Sequence, residues 1–175
     1  MEMKEFYYKN GIRISIFNLD NTNVPCHIHS EVSDIILCTK GGIKIDLPDL
    51  KKIIKIEKGR GFQIPNAIRH RFINLYSEQE SQYVLLQIGD FDINFMQDER
   101  IINQLVQDAQ IFYSKNCNIY IKNRKRELIK LSNEFSANTP KSLTQDECNN
   151  VIFALQFFAS NGLETDYVDT LSYIK

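Results

Sequence analysis

Residues 25–42 read PCHIHSEVSDIILCTKGG and contain two of the three histidines of the chain. His27 and His29 are separated by one residue, and residues two apart on a strand point to the same side. The third histidine, His70, lies in a second unusual stretch, GRGFQIPNAIRHRFIN, at residues 59–74. Because adjacent imidazoles bind one metal ion or line one pocket, the two stretches together predict a site of one of these two kinds.

Short runs of alternating polar and apolar residues surround both stretches. GIRISIF at residues 11–17 and GIKIDL at residues 42–47 each place isoleucines on one face. Glycine, proline, aspartate and asparagine separate these runs from the ones that follow. Many short strands with turns between them are typical of an all-β sandwich or barrel.

The spacing of apolar residues lengthens after residue 97 and becomes helical. Three helices are predicted at residues 98–113, 124–135 and 144–161, with a short extended piece at 117–122 between the first two. Thr144 and Glu147 have the spacing of a capping box, in which each side chain binds a backbone N–H of the other residue. We therefore expect a mainly β part over residues 1–96, followed by an α-helical subdomain over residues 97–175.

Composition excludes several classes of protein. The chain has 175 residues, of which 43% are hydrophobic, and this is enough for a packed core and too many for a disordered chain. The net charge of −1 gives no general attraction to nucleic acid or to membranes. The N-terminal sequence is not a secretory signal, and no run is long enough to cross a membrane.

The cysteines point to a reducing compartment. Cys26, Cys38, Cys117 and Cys148 are widely spaced and form neither a CxxC pair nor a zinc pattern. They are predicted to be free thiols, and we expect a cytoplasmic location.

The two histidine stretches resemble the two conserved motifs of the cupin superfamily. The first motif is matched by His27, His29, Asp34 and Gly41, and the second by Gly59, Pro65, Ala67, His70 and Asn74. The resemblance implies a jelly-roll β-barrel over residues 1–96. It also places His27, His29, Asp34 and His70 where metal-binding cupins carry their ligands.

Two positions depart from the cupin pattern. Asp34 stands in place of the usual glutamate and is shorter by one methylene, and Ala67 stands in place of the second glycine of the second motif. Two interpretations of the four residues remain open: a metal site, or the lining of a pocket that binds no metal. Three imidazoles and a carboxylate suit Fe, Mn, Ni, Zn or Cu, and ligand type alone does not choose among them.

The second half of the chain resembles the N-terminal sensory domain of AraC-family transcription regulators. In that family the last barrel strand leads into an F-D-x-x-F segment, here residues 91–95, and then into helices used for dimerisation. Residues 166–175 are similar to the lead into that family's DNA-binding domain, which this chain lacks. The resemblance implies a domain that senses a small-molecule effector and dimerises.

Two functions follow as alternatives. The first is the sensing domain, with a homodimer through the helix at residues 144–161 because that helix is apolar on more than one side. The second is a metal-dependent cupin enzyme, a dioxygenase, isomerase or lyase, that uses the three histidines and Asp34. No specific DNA binding is expected from this chain alone, because its single basic cluster, at residues 122–126, lies at the start of a core helix.

Overall fold

The structure is a computed structural model that describes residues 1–96, 98–107, 109–114, 119–121 and 123–163. Strands β1 to β13 are Glu2–Lys9, Ile12–Leu19, Val24–Ile28, Ser33–Lys40, Gly42–Leu47, Lys52–Glu57, Gly61–Ile64, His70–Asn74, Ser81–Ile88, Asn94–Phe95, Gln110–Tyr113, Ile119–Tyr120 and Gly162–Leu163. Helices α1 to α3 are Glu99–Val106, Lys125–Ala137 and Gln145–Asn161, and Pro48–Leu50 forms a 3-10 turn.

Two sheets face each other and form a β-sandwich. One has the strand order β1-β2-β9-β4-β7, and the other has the order β10-β3-β8-β5-β6-β11. Neighbouring strands within them are antiparallel except for β6 and β11. The predicted mainly β part followed by an α-helical part is confirmed. No helix in the described part of the chain has the length and hydrophobicity needed to cross a membrane.

The core between the two sheets is built from the inward side chains of both. Its buried members are Leu19, Val24, Ile36, Cys38, Ile43, Ile45, Leu47, Ile54, Ile56, Phe62, Ile64, Phe72, Tyr83 and Leu85. Strands β5 and β6 each contribute isoleucines at alternate positions, Ile43 and Ile45 and Ile54 and Ile56, as expected of antiparallel sheets that bury one face.

A second core lies on the outer face of the five-stranded sheet, where α2 and α3 cover it. Ile12, Ile14 and Ile16 of β2 pack there against helix residues that include Leu155 and Phe158. The five-stranded sheet is therefore buried on both faces. This explains why β4 and β9 are buried along almost their whole length and each contain an unbroken run of four apolar residues, IILC and YVLL, since strands covered on both sides need no polar face.

The first predicted helix is only half as long as its apolar pattern suggested. Helix α1 ends at Val106, and Gln110–Tyr113 forms β11, which pairs in parallel with β6. The prediction of a helix through Tyr113 was wrong because the edge of β6 offers unpaired backbone groups that a strand satisfies. Isoleucine, phenylalanine and tyrosine also favour strands. As a result, residues beyond position 97 complete the six-stranded sheet.

Helix α1 is held to the sandwich by a buried arginine. Arg71 of β8 donates from Nε to Asp46 Oδ2 at 2.7 Å, from Nη1 to Glu99 Oε2 at 2.8 Å and from Nη2 to Asn103 Oδ1 at 2.8 Å. Glu99 and Asn103 are one helical turn apart and so reach the same guanidinium. The planar fork of arginine suits this kind of simultaneous contact.

Helix α3 begins with the predicted capping box. Glu147 N donates to Thr144 Oγ1 at 3.1 Å, and Thr144 N donates to Glu147 Oε1 at 2.8 Å. Of the second apolar face that the sequence suggested, Ala154 is buried against the sheet and Phe157 is half-buried, whereas Phe153 is 54% exposed. The sheet and α2 thus cover the apolar side chains of this helix other than Phe153, wholly or in part.

Three of the predicted free thiols are confirmed, and Cys117 lies outside the described residues. Cys26, Cys38 and Cys148 are buried and unpaired. Burial raises the pKa of Cys26 to about 11 and that of Cys38 to about 12, so both remain protonated and unreactive near neutral pH.

Glu147 also joins α3 to β1, and this contact makes a prediction about pH. Burial raises the pKa of Glu147, but the Lys4 ammonium at 2.8 Å and the N–H of Thr144 outweigh burial, so the pKa is lowered. A lowered folded-state pKa gives stability that is present above the unfolded value of about 4.3 and is lost as pH falls through the folded value. We expect Glu147→Gln to reduce the free energy of unfolding by about 1 kcal/mol at pH 7.

Urea unfolding at two pH values checks this prediction. The difference between the wild type and Glu147→Gln should shrink below pH 4, because the wild-type carboxylate then becomes protonated. Glu78→Gln is the matched control, since Glu78 is exposed in the turn before β9. A difference that is the same at both pH values would show that the charge of Glu147 does not contribute.

Candidate metal centre

The four predicted site residues converge between the two sheets. His27 on β3 pairs directly with His70, the first residue of β8, and His29 follows directly after β3. Asp34 comes from β4 in the opposite sheet. All four side chains are buried, and their potential ligand atoms lie within 4.8 Å of one another. The structure therefore brings together every residue of the predicted set.

Asp34 lies at the centre of the cluster. Its Oδ2 is 3.0 Å from His70 Nε2 and 3.9 Å from His27 Nε2, and its Oδ1 is 3.2 Å from His29 Nε2. The contact with His29 lacks the angle of a hydrogen bond, and this buried Nε2 has no hydrogen-bond partner among the described residues. The shorter aspartate side chain thus still reaches all three imidazoles.

Backbone carbonyls orient the three imidazole rings. Nδ1 of His27 donates to Pro25 O at 2.7 Å, Nδ1 of His29 to Asp92 O at 2.6 Å, and Nδ1 of His70 to Ile68 O at 2.7 Å. A carbonyl oxygen only accepts, so each Nδ1 carries the ring proton. In a neutral ring, Nε2 then presents a lone pair, and in all three rings Nε2 points towards Asp34.

This arrangement fits a divalent transition metal. Ligand atoms that bind a metal at about 2.0–2.2 Å are separated from each other by roughly 3–4 Å, which is the range of the contacts around Asp34. The three buried Nε2 lone pairs repel the Asp34 carboxylate and each other unless a proton or a cation lies between these groups. The donor set of three nitrogens and one carboxylate suits Fe, Mn, Ni, Zn or Cu.

The protonation of the cluster agrees with this fit at Asp34 and His70, whereas His29 would have to give up a proton to bind a metal. Burial raises the pKa of Asp34, but contacts with the three histidines outweigh burial and hold that pKa well below its usual range. Burial lowers the pKa of His70. Burial also opposes the charging of His29, but Asp34 and the Asp92 carbonyl outweigh burial and raise the pKa of His29. Metal ligands must be deprotonated, and the ionised Asp34 beside a neutral His70 meets that requirement.

Two residues that the sequence did not reveal hold Asp34 in place through hydrogen bonds. Gln87 on β9 pairs with Asp34 across the sheet and donates from Nε2 to Asp34 Oδ1 at 2.7 Å. Arg13 on β2 in turn donates to Gln87 Oε1 at 2.7 Å and to Glu5 Oε2 at 3.0 Å. A hydrogen-bonded chain thus runs from the centre to the protein surface. One sign of this hydrogen-bonded chain is visible in the sequence, which is that Gln87 stands at an inward position of a largely apolar strand.

The segment at residues 91–95, which carried the AraC-family resemblance, belongs to the site. The Asp92 carboxylate accepts from the N–H groups of Ser30 and Glu31 at 2.8 and 2.9 Å, and these hydrogen bonds lower the pKa of Asp92. Its carbonyl oxygen orients His29, as described above. The segment therefore fixes the second histidine of the first motif.

A cavity of about 270 Å³ opens from the centre towards solvent. His27, His29 and Asp34 form its floor, and most of its wall is apolar. The wall residues are Met1, Met3, Arg13, Phe17, Val24, Pro25, Phe72, Tyr83, Leu85, Gln87, Phe91, Ile93 and Phe95. Apolar walls with a few polar groups at defined positions are typical of small-molecule sites.

Comparisons with known proteins give matches only among solved structures, since no protein-family model and no curated protein matches the chain. A polyketide cyclase from Streptomyces resistomycificus is 16% identical, with a TM-score of 0.46 over 57% of this chain and 73% of that one. A Klebsiella pneumoniae protein with a double-stranded β-helix domain is 10% identical, with a TM-score of 0.49 over 54% and 82%. A cupin-2 domain protein from Shewanella frigidimarina is 14% identical, with a TM-score of 0.42 over 50% and 79%.

The strand-rich part of the chain is a sandwich of two facing sheets, which is the architecture that the motif resemblance implies. His27 lies on β3, His70 on β8 and Asp34 on β4, and His29 follows directly after β3. Similarities this weak carry no argument about the chain, so both the fold and the chemistry of the site rest on the geometry described above.

The alanine that departs from the cupin motif keeps the backbone of a glycine. Ala67 has a φ of +62°, in the left-handed region, and its N–H donates to His29 O at 2.6 Å. The contact ties the second motif to the first. The left-handed region costs a residue with a Cβ about 1–2 kcal/mol, so Ala67 adopts it because this bridge holds it there.

We expect Ala67→Gly to raise the free energy of unfolding by about 1 kcal/mol, because glycine adopts this conformation without strain. Chemical denaturation measures the change. Ala137→Gly, in the last turn of α2, is the control and should destabilise, since its backbone is helical. Equal losses of stability in both variants would show that Ala67 is not strained.

Proposed function

We propose that this protein is a small-molecule-sensing domain of an AraC-family-like regulator, and that a divalent transition metal held by His27, His29, Asp34 and His70 forms part of its binding site. The observation that carries the proposal is the complete, buried set of four ligands, three of which line the floor of a cavity. A bound metal supplies a Lewis-acidic position for an oxygen or nitrogen of the effector.

Strand β1 supports the sensing role because it contacts both the cavity and the helices. Met1 and Met3 line the cavity. On the other side, Lys4 Nζ is 2.8 Å from Glu147 Oε1 of α3, and the rings of Phe6 and Tyr7 lie 5.7 and 5.9 Å from the ring of Phe135 in α2.

A bulge between Glu5 and Tyr7 accounts for the two successive aromatic side chains that face the helices. β1 and the helices are in contact, so a change in the position of β1 changes how the helices pack. An effector that binds more tightly to one of these arrangements shifts the equilibrium between them by its difference in binding free energy. In a regulator, those helices lead to the DNA-binding domain.

Native mass spectrometry of the protein purified without chelators tests this function. We expect one divalent metal ion per chain, and the same spectra report any co-purified small molecule and the oligomeric state. Hydrogen exchange should then slow in β1 and α2 when that molecule is added back. Protein that takes up metal but shows unchanged exchange in both elements would contradict the sensing role and leave the metal centre standing.

A metal-dependent enzyme is the second candidate, and the same four-ligand centre favours it. Dioxygenase, isomerase and lyase chemistry all require a metal position that substrate can reach, and the cavity supplies an entry path. Turnover separates the candidates: an enzyme converts the bound molecule in the metal-loaded state, whereas a sensor releases it unchanged.

The homodimer through residues 144–161 is part of the proposal. Since the sheet covers Ala154 and half of Phe157, the contact would centre on Phe153, which is 54% exposed. Light scattering tests this: the wild type should be a dimer and Phe153→Glu a monomer, with Asn133→Glu, at an exposed position of α2, as the control. A monomeric wild type would remove the dimer from the proposal.

We also propose that this chain alone does not bind DNA specifically. Its net charge of −1 leaves little counterion release to drive binding. The basic cluster includes Arg124, which is engaged by Glu127 at 2.7 Å and by Asn10 O at 3.0 Å.

Three buried free thiols support the expected cytoplasmic location.

A further inference from the structure

The polar groups of the cavity wall identify the kind of molecule that fits above the metal centre. Among the described residues that line the cavity, Arg13 is the one lysine or arginine. Its guanidinium lies 3.8 Å from the centroid of the Phe91 ring, and its side chain is only 12% exposed. Gln87 and the exposed Glu5 hold the guanidinium in place from two sides.

The contacts of Arg13 leave hydrogen-bond capacity for a ligand. A guanidinium has five N–H donors, and the described contacts use one on Nη1 and one on Nη2. The fixed position lowers the entropic cost of binding a planar anion such as a carboxylate, which arginine recognises with two parallel hydrogen bonds.

A second polar group on the wall lacks a partner. The Tyr83 hydroxyl is fully buried and makes no hydrogen bond with any described residue, although Tyr83 lines the cavity. The Tyr83 ring stacks on Phe17 at 4.8 Å between centroids, so its position is fixed. Ser15 Oγ, on the same side of β2 as Arg13 and Phe17, is also buried without a partner. Buried hydroxyls without a hydrogen bond are costly and call for an explanation.

The charge of the metal centre also favours a negatively charged ligand. A divalent ion beside one carboxylate and neutral imidazoles keeps a net positive charge, and Arg13 adds another positive charge that Glu5 offsets from the rim. The rest of the wall is apolar and largely aromatic. The volume of about 270 Å³ suits a single-ring molecule, because a cavity of about 150 Å³ already holds benzene.

We propose that the cavity binds a single-ring organic acid, with its carboxylate at Arg13, its ring among Phe17, Phe72 and Phe91, and an oxygen within reach of the Tyr83 hydroxyl. This inference rests on the proposed small-molecule function and specifies the chemical class of the effector or substrate.

Isothermal titration calorimetry with benzoate and benzamide tests the proposal on the full chain. The two probes have nearly the same shape, and only benzoate carries the charge. We expect benzoate to bind Zn²⁺-loaded protein at least about tenfold more tightly than benzamide, because charge-assisted bidentate contacts are about twice as strong as neutral ones. Arg13→Gln should abolish the preference, and Arg13→Lys should keep part of it. Arg100→Gln, whose side chain is 94% exposed, is the matched control and should keep all of it.

Tyr83→Phe provides an independent measurement of the second polar group. It should weaken the binding of a hydroxybenzoate, whose ring hydroxyl supplies the second oxygen, several-fold and leave benzoate and its preference over benzamide unchanged, because it removes one donor and no charge. Equal affinity for the two probes, no benzoate binding up to about 10 mM, or a preference that survives Arg13→Gln would overturn the proposal.

The outcomes separate this inference from the proposed function. Protein that binds Zn²⁺ but does not prefer benzoate refutes the organic acid alone. Protein that binds no Zn²⁺ and still prefers benzoate through Arg13 refutes the metal centre alone, because Arg13 is not a metal ligand.

Discussion

Alanine at His27 or at His70 is expected to abolish the uptake of a divalent metal and to leave the barrel folded. Each variant removes one of four ligands, and the apolar core between the two sheets holds the strands of the centre together without them. A metal that binds only the folded state at about 100 times its Kd stabilises the wild type by about 2.7 kcal/mol. Elemental analysis and thermal unfolding with and without Mn, Fe, Ni, Zn and Cu measure both effects.

A pair of aspartate variants controls for charge. Asp34→Asn keeps the shape of the fourth ligand and should lose the metal-dependent rise in melting temperature. Asp49→Asn removes the same charge from a side chain that is 46% exposed and should keep the rise. If no metal stabilises the wild type, the four residues line a pocket and the metal centre is refuted.

Phe158→Ala is expected to have the largest effect on stability, a loss of about 3–5 kcal/mol in the free energy of unfolding. Phe158 is fully buried in the core that joins α3 to the outer face of the five-stranded sheet. The cost combines the lost transfer free energy with the cavity left behind. Urea unfolding followed by circular dichroism measures it.

Phe153→Ala is the matched control for this prediction. The two phenylalanines lie on the same helix, but Phe153 is 54% exposed and, in protein diluted until light scattering reports a monomer, its replacement should change stability by no more than about 0.5 kcal/mol. Equal losses in the two variants would mean that α3 does not pack on the sheet as described.

The site could be predicted from the sequence because its four side chains follow local rules. Strand alternation places His27 and His29 close together, and the order of the two motifs brings in Asp34 and His70. The residues behind the centre were not predictable in this way. Gln87 lies 53 positions from Asp34 in sequence, and the contact depends on the register of β4 against β9, which no short stretch encodes.

The elements of the fold show the same limit. Alternation in β2 correctly grouped Ile12, Ile14 and Ile16 on one face, but it could not show that helices, and not the sandwich interior, cover that face. The helical spacing that continued through Phe112 was overridden by the open edge of β6. The local pattern of apolar residues predicts which side chains are buried. The pairing of strands that are distant in sequence decides which other elements those side chains pack against.

One β-sheet separates the cavity from the helices. Along β2 the side chains alternate, with Arg13 and Phe17 facing the cavity and Ile14 and Ile16 facing α2 and α3. Two layers packed face to face lie about 10 Å apart, and the interior is too dense to absorb a shift within that distance. A molecule in the cavity that moves β2 by a fraction of an ångström therefore also moves the outer face of the five-stranded sheet, which α2 and α3 contact. No hinge and no chain of intermediate residues is needed between the cavity and the helices.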